Sequence, residues 1–361
     1  LSGLKAFQYS IEWLATEADI YCREAPPIIK TLGINALIVD QLSFGGGTVA
    51  EYLDIPFVSI CSAVMFNQDI RVPLINTSWL YDPSWWGLLR NQVGYMLAYP
   101  LGQPIRKVIN SYRRQWDLSP ISNINDSFSP LAQISQQPAE FEFPRPGLPS
   151  CFHFVGYLDN PASRKPVSFP YEKLTGQPLI YASMGTLQNR LVWLFQMIAE
   201  ACMGLDAQLV ISLGGGADPE SFPALPGNPL VVGYAPQLEL LQRASLTITH
   251  AGMNTTLESL SNGVPMVAIP ITNDQPGSGS RIAWTGTGEA IPLSKLSLEK
   301  LRKAISQVLT EDSYRENAAR LQSAIKRAGG VRRAGDIIEQ ATVKENLPDQ
   351  LPAVTPRISL S

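Results

Sequence analysis

Histidine is almost absent from this chain. There are two in 361 residues, His153 and His250, so a reaction that needs an imidazole base must draw on those two. Cysteine is nearly as scarce. Cys22, Cys61, Cys151 and Cys202 stand far apart, a distribution that excludes both a zinc cluster and a disulfide scaffold and predicts reduced thiols in a cytosolic protein. No apolar run approaches the roughly 20 residues of a membrane-spanning helix. Basic charge is not in excess either: 28 Lys and Arg against 31 Asp and Glu give a net charge of -3, which predicts no nucleic-acid partner. Methionine does not open the chain. Leu1 leads into an amphipathic helical pattern (Leu4, Phe7, Ile11, Leu14) where a doubly wound domain would open on a strand. The expectation is that a preceding segment belongs to the protein.

What is present is apolar residues, 45% of the chain, enough for two domains with full cores. Residues 3–32 read as a helix interrupted at Pro26-Pro27. Residues 36–39 form a buried strand ending at Asp40, Gly45-Gly46-Gly47 break the chain, 48–53 read as a helix and 57–60 as a second strand. That alternation predicts a parallel sheet with helices outside. Residues 78–117 carry Trp79, Tyr81, Trp85, Trp86, Tyr95, Tyr99, Tyr112 and Trp116 at helical spacing, with breaks near Pro100 and Pro104. They read first as a packed core layer, with an acceptor-pocket wall or a membrane-facing patch as alternatives. A strand at 152–155 precedes proline-rich residues. Beyond them, strands at 179–182, 208–212, 230–232, 246–249 and 266–269 alternate with helices at 191–203, near Gly252 and over 297–342. The predicted organisation is an incomplete first Rossmann-like domain (1–157), a linker (158–175), a second doubly wound domain (176–343) and a disordered tail (344–361).

The chemistry concentrates in the second domain. His250 ends the 246–249 strand, where open α/β sheets bind ligands. Gly252 permits close backbone approach, and the helix that starts there offers free N–H groups and its dipole to a phosphate. Asn254, Thr255 and Thr256 add first-turn donors. Asn254 and Glu258 share a helix face, and a carboxylate at Glu258 repels phosphate but suits the neutral hydroxyls of a ribose. Ser183-Met184-Gly185-Thr186 form a second phosphate-type turn after the 179–182 strand. Asp274-Gln275 follow the 266–269 strand with acceptors and donors suited to sugar hydroxyls.

The order Tyr234-Ala235-Pro236-Gln237, His250-Ala251-Gly252-Met253-Asn254-Thr255, Glu258, Gly263-Val264-Pro265, Asp274-Gln275 resembles the C-terminal signature of the family 1 UDP-glycosyltransferases, which have the GT-B fold of two Rossmann-like domains facing a cleft. The style is that of the bacterial branch with macrolide and carotenoid (zeaxanthin-type) glucosyltransferases. The resemblance covers residues 30–340 in outline and is sharpest over 230–290. It implies that Gln237 meets the uracil edge beside Tyr234. It also implies that His250, Asn254 and Thr255 hold the diphosphate with Ser183 and Thr186, that Glu258 takes the ribose, and that Asp274 and Gln275 take the sugar. A Gln at the last position is compatible with glucose. Arg281, after the cradle, is read as structural, with a phosphate-side donor as the alternative. Two features depart from the plant pattern: Tyr234 stands where Trp is usual, and the interval from Tyr234 to His250 is two residues shorter.

The implied reaction transfers a hexose from a UDP-sugar to a hydroxyl of a small lipophilic acceptor with inversion, using no metal and no cofactor. It needs a base. In the family a His of the first strand–helix loop serves, oriented by an Asp, and Asp40 matches that Asp; its bland alternative is a loop or cap carboxylate. The His has no counterpart, because His250 belongs to the donor cradle and His153 reads as a strand residue. The expectation is that about 60–80 residues, two βα units of roughly 30 each, precede Leu1 and that the chain as it stands transfers little. A non-catalytic UDP-sugar-binding module, or a half-enzyme needing a partner chain, is the alternative. A sugar-nucleotide epimerase on the same architecture is disfavoured by Gln237, Asp274 and Gln275. The implied location is cytoplasmic, membrane-peripheral if the aromatic segment meets lipid.

Overall fold

A computed structural model of the chain describes residues 3–159, 164–186 and 191–343, with side chains from residue 9 onward. The disordered-tail reading of 344–361 lies outside the described residues. Among these, the short buried runs assemble into two parallel sheets. The first contains β1 (Leu37–Asp40), β2 (Phe57–Cys61), β3 (Gln133–Ser135) and β4 (Phe152–Phe154), side by side in chain order. The second contains β5 (Leu179–Ser183), β6 (Gln208–Ser212), β7 (Leu230–Val232), β8 (Ala244–Thr249), β9 (Met266–Ala268) and β10 (Gly288–Ala290) in the order β10-β9-β8-β5-β6-β7. The chain builds outward from β5 to β7, then returns to the other side of β5 with β8. Such a reversal leaves a crevice between the carboxyl ends of the two central strands.

Strand alternation decides which layer each residue joins. Ile180 and Ala182 pack with Ile211, Ile248 and Val267 under α5 (Val192–Cys202) and α9 (Leu298–Thr310). Met266 and Ala268 face the other way, toward Leu257 and Leu260 of α7 (Met253–Ser261) and Leu321 and Ile325 of α10 (Asp312–Ala328). After Gly329 the chain crosses back. The last helix, α11 (Gly330–Thr342), lays Ala334, Ile337 and Ile338 on Val58, Ile134 and Val155 of the first sheet.

Three expectations are corrected. The first helix, α1 (Gly3–Leu32), runs through Pro26 and Pro27 without interruption. Proline removes helix donors, but Ala15 and Ala18 before the pair and Ile29 after it are all held in buried clusters, so packing on both sides keeps the helix whole. Gly46 and Gly47 do not break the chain; they form the first turn of α2 (Gly46–Leu53). A side chain at Gly46 would collide with Val39, and a Cβ at Gly47 would lie 2.6 Å from the Ser127 carbonyl oxygen. The aromatic segment forms α3 (Trp85–Ala98) and α4 (Gln103–Gln115), joined by a 3-10 turn at Tyr99–Gly102, as the prolines predict. It is not a uniform core layer: Tyr112 packs against buried neighbours, whereas Trp85 and Trp86 are exposed. Missed entirely were β3, β10, the short α6 (Gln237–Leu241) and α8 (Gln275–Trp284). Among the described residues, no helix is long and apolar enough to cross a membrane.

The two halves are joined by buried charge. Glu142, in the loop after β3, accepts from Arg145 Nε at 3.0 Å and from Arg281 of α8 at 3.0 Å (Nε) and 2.6 Å. All three side chains are almost fully buried. Burial opposes the Glu142 charge, but the two guanidinium groups overcome it and hold the carboxyl down at about 2. Arg281 also lies over the Phe143 ring at 4.5 Å and donates to the Gly277 carbonyl at 2.8 Å. This is the structural role read for it from sequence.

Candidate active site

A cleft of about 1190 Å³ opens at the switch point between β5 and β8. It exceeds the roughly 300–1,000 Å³ of single small-molecule pockets, leaving room for two ligands side by side. Ser183, Thr186, Tyr234, Gln237, His250, Gly252, Asn254, Thr255, Glu258 and Asp274 all line it. From the first half come Ser62, Ala63 and Tyr157. Gln275 and Asp40 are not among the lining residues.

The β8–α7 turn sets the floor. Ala251 adopts φ 65°, a left-handed conformation that costs a non-glycine residue about 1 kcal/mol, and its fully buried methyl is held in the core beneath α7. Gly252 then caps α7 in an extended conformation, so the helix N-terminus faces the cleft. The His250 ring is wedged between two glycines. A Cβ on Gly185, itself at φ 71°, would lie 2.7 Å from His250 Cε1, and one on Gly252 would collide with Nε2. Burial lowers the His250 pKa to about 4, partly offset by a hydrogen bond to the Ser183 backbone. The ring is therefore neutral near pH 7, able to donate or accept one hydrogen bond at its remaining nitrogen.

Glu258, buried on α7, is fully engaged. Tyr157 Oη donates to Oε1 at 2.7 Å, Arg164 to the same oxygen at 2.8 Å, and Gln237 Nε2 to Oε2. Burial, followed by the Glu258 carboxylate, raises the Tyr157 pKa, so Tyr157 remains a donor. The Gln237 carbonyl accepts from Tyr181 Oη at 2.9 Å, completing a Tyr181–Gln237–Glu258 chain along the cleft. Asn254 Oδ1 accepts from Gln136 Nε2 at 3.1 Å, and the same amide donates to the Ser62 carbonyl. Thr256 turns away from the cleft, fully buried, toward Ser278.

Asp274 reaches the first half, where the Val64 N–H donates to its Oδ2 at 3.1 Å. Burial raises its pKa, against backbone hydrogen bonds from Val64 and Asp274 itself. Gln275 is turned to the loop: its Oε1 accepts from the N–H groups of Ile271 (2.9 Å) and Thr272 (3.0 Å). Asp40 accepts from Leu42 N–H at 2.8 Å and from the Ser62 hydroxyl, and Ser62 lines the cleft. Asp40 is thus one hydrogen bond from the cleft. His153 lies on the outer strand β4, opposite Ile134 and outside the lining.

Sequence reasoning missed Tyr157, Arg164, Gln136 and Ser62. Ser62 directly follows β2, so the strand-end rule could have found it. The other three lie in loops with no local signal.

A family model described as UDP-glucoronosyl and UDP-glucosyl transferase matches residues 88–330. Zeaxanthin glucosyltransferase of Pantoea ananas is 35% identical over 332 residues, covering 91% of this chain and 77% of that protein. The zeaxanthin glucosyltransferase of Pseudescherichia vulneris is 33% identical, covering 91% and 79%. Among solved structures, the glycotransferase of kitacinnamycin superposes with a TM-score of 0.73 at 20% identity, covering 95% of this chain and 84% of that one. The calicheamicin glycosyltransferase superposes at 0.71 and 21%, covering 94% and 84%. At that identity the structural likeness speaks to the fold, which is GT-B.

Proposed function

Because the chain belongs to the UDP-glucoronosyl and UDP-glucosyl transferase family, we propose that it is a glycosyltransferase that moves a hexose, glucose, from a UDP-sugar to a hydroxyl of a small lipophilic acceptor with inversion. The observation that carries this reading is the convergence at one switch-point cleft of a helix N-terminus, a neutral His250, the buried carboxylate of Glu258 and the half-buried carboxylate of Asp274. The lipophilic acceptor is suggested by the two zeaxanthin glucosyltransferases.

In this reading the diphosphate sits over the start of α7, where the helix dipole, Asn254, Thr255 and His250 face it, with Ser183 and Thr186 on the opposite side. The ribose hydroxyls replace the Tyr157 and Arg164 donors at Glu258. Tyr234 and Gln237 flank the base. Asp274 takes the sugar, while Gln275 shapes the 271–272 loop on which that sugar rests. The acceptor oxygen attacks the anomeric carbon from the first-half side, its bond forming as the bond to the diphosphate breaks. The acceptor proton leaves toward the Ser62–Asp40 side, to a base that Asp40 would orient.

A second reading has one observation in its favour: of the two histidines, His250 faces the donor side and His153 lies outside the cleft. That favours a donor-binding module or half-enzyme that transfers little alone. Calorimetry tests the shared part. Glu258→Ala is expected to weaken UDP and UDP-glucose alike, about tenfold, the loss of a charge-assisted hydrogen bond. Asp274→Ala should weaken UDP-glucose about tenfold and leave UDP within about twofold. Equal losses at Asp274 for both ligands overturn the sugar assignment. A glucosylation assay with intact UDP binding then separates transfer from binding alone.

A further inference from the structure

The helix α3 turns an apolar face to solvent. Trp85 (62%), Trp86 (62%), Leu89 (43%), Val93 (44%), Met96 (68%) and Leu97 (73%) are all exposed, and Tyr99 (52%) extends the row. Their spacing places them along one side of the helix. The inward side carries Gly87, Leu88, Asn91, Gly94 and Tyr95. Asn91 is fully buried and donates to the Ile70 carbonyl at 3.0 Å. Arg90, the helix's one charged residue, donates to the Leu80 carbonyl at 2.9 Å and lies over the Trp79 ring at 5.0 Å. A surface helix of a water-soluble fold normally turns polar residues to solvent, and a contiguous apolar face of this kind marks an interaction surface.

We propose that this face docks the protein on a lipid bilayer carrying anionic headgroups. Two observations favour lipid. The apolar row has tryptophans at one end, a tyrosine at the other and aliphatic side chains between, the composition of a helix lying in the membrane interface. A cation adjoins it: Arg106 of α4 lies 4.0 Å over the Tyr99 ring, and α4 contains Arg106, Lys107, Arg113 and Arg114 with no acidic residue. Arg113 is consumed by Glu51, leaving Lys107 and Arg114 exposed. Asp82 precedes the helix, with its carboxylate turned to the Ser84 N–H.

The surface does not depend on the donor reading, and its test keeps the two apart. The full chain is floated with vesicles of phosphatidylcholine alone and of phosphatidylcholine with about one third phosphatidylglycerol, beside a Met96→Glu/Leu97→Glu variant. A thermal melt followed by circular dichroism serves as the check that the variant is folded. The expected result is flotation with the anionic vesicles, at least fivefold weaker with phosphatidylcholine alone, and at least tenfold weaker for the variant with its melting transition unchanged. Trp85→Ser/Trp86→Ser gives an independent second variant and should lose binding in the same way. No flotation of the parent chain, or flotation unchanged in both variants, overturns the proposal. So does a concentration-dependent dimer in sedimentation that Met96→Glu/Leu97→Glu abolishes, which would assign the face to a second copy.

Discussion

The two halves of the molecule use the same parallel α/β rhythm for different ends. In the second half, the six strands and their helices close over a continuous apolar core, and polar residues gather at the strand ends around one crevice. In the first half, the four short strands are knitted by buried side-chain amides. Gln41 donates to Asn67 at 2.9 Å and Asn67 to Gln133 at 2.8 Å, while apolar side chains lie exposed on α3. One half gathers its cleft residues by local motif, a strand end running into a helix start. The other contributes through loops that reach across, as Gln136 does to Asn254 and Tyr157 to Glu258.

That contrast makes the junction the place of largest expected effect. Glu142→Gln would leave Arg145 and Arg281 buried without a counter-charge. Breaking a buried pair from one side costs about 3–5 kcal/mol, so the urea midpoint should fall accordingly. If the two halves are welded mainly there, unfolding should also separate into two transitions. A variant that still melts in a single step with an unchanged midpoint would show that apolar contacts, such as Val64 and Phe141 against Leu257 and Ile282, hold the halves together on their own.

The next effect sharpens the contrast within the second half. An unfolded His250 takes a proton as the pH drops through about 6.5, whereas the buried ring refuses one until about 4. Between those values the unfolded state binds more protons, so stability is full above about 6.5 and falls as the pH falls toward about 4, by on the order of 3 kcal/mol. Asp274, raised by burial, works in the opposite direction: it binds its proton more readily folded than unfolded, so its contribution grows as the medium becomes acidic. His250→Asn should remove the His250 loss. Denaturation at pH 5 and pH 7 checks this, and an unchanged difference between the two pH values in the variant would place the acid sensitivity elsewhere.

How much of this was legible beforehand follows from range along the chain. The cleft could be read because most of its predicted residues are paced by β8, α7 and the loop before α8, within 234–275. Strands running up to Asp40, Ser183 and His250 were visible as apolar runs that stop, although the first is not the buried strand its pattern predicts, with Ile38 57% exposed. The junction was not, because Arg281 and Glu142 are 139 positions apart, and Gln136 and Asn254 are 118 apart. Nothing near either member announces the other. β3 hid for a different reason: Gln133 and Ser135 flank a single apolar Ile134. The sequence pattern also misled at α3, where aromatic residues at helical spacing suggested a buried layer. The buried positions of Gly87 and Asn91 show which side of that helix faces in.

The smallest expected effect tests the most intimate link between the halves. Arg164 donates to Glu258 at 2.8 Å, with its own side chain about two-fifths exposed. Arg164→Ala should therefore cost under about 1 kcal/mol of stability. Its effect on ligand is the sharper readout. If Arg164 holds the place that ribose hydroxyls take, removing it removes a competitor, and UDP should bind about threefold more tightly, a change within the strength of such a partly exposed pair. If Arg164 instead swings to the diphosphate once Glu258 is occupied, UDP should bind more weakly and the loss should shrink with added salt, as for any exposed charge contact. The sign of the change in dissociation constant thus decides whether this loop residue stands in for the nucleotide at Glu258 or helps to hold it.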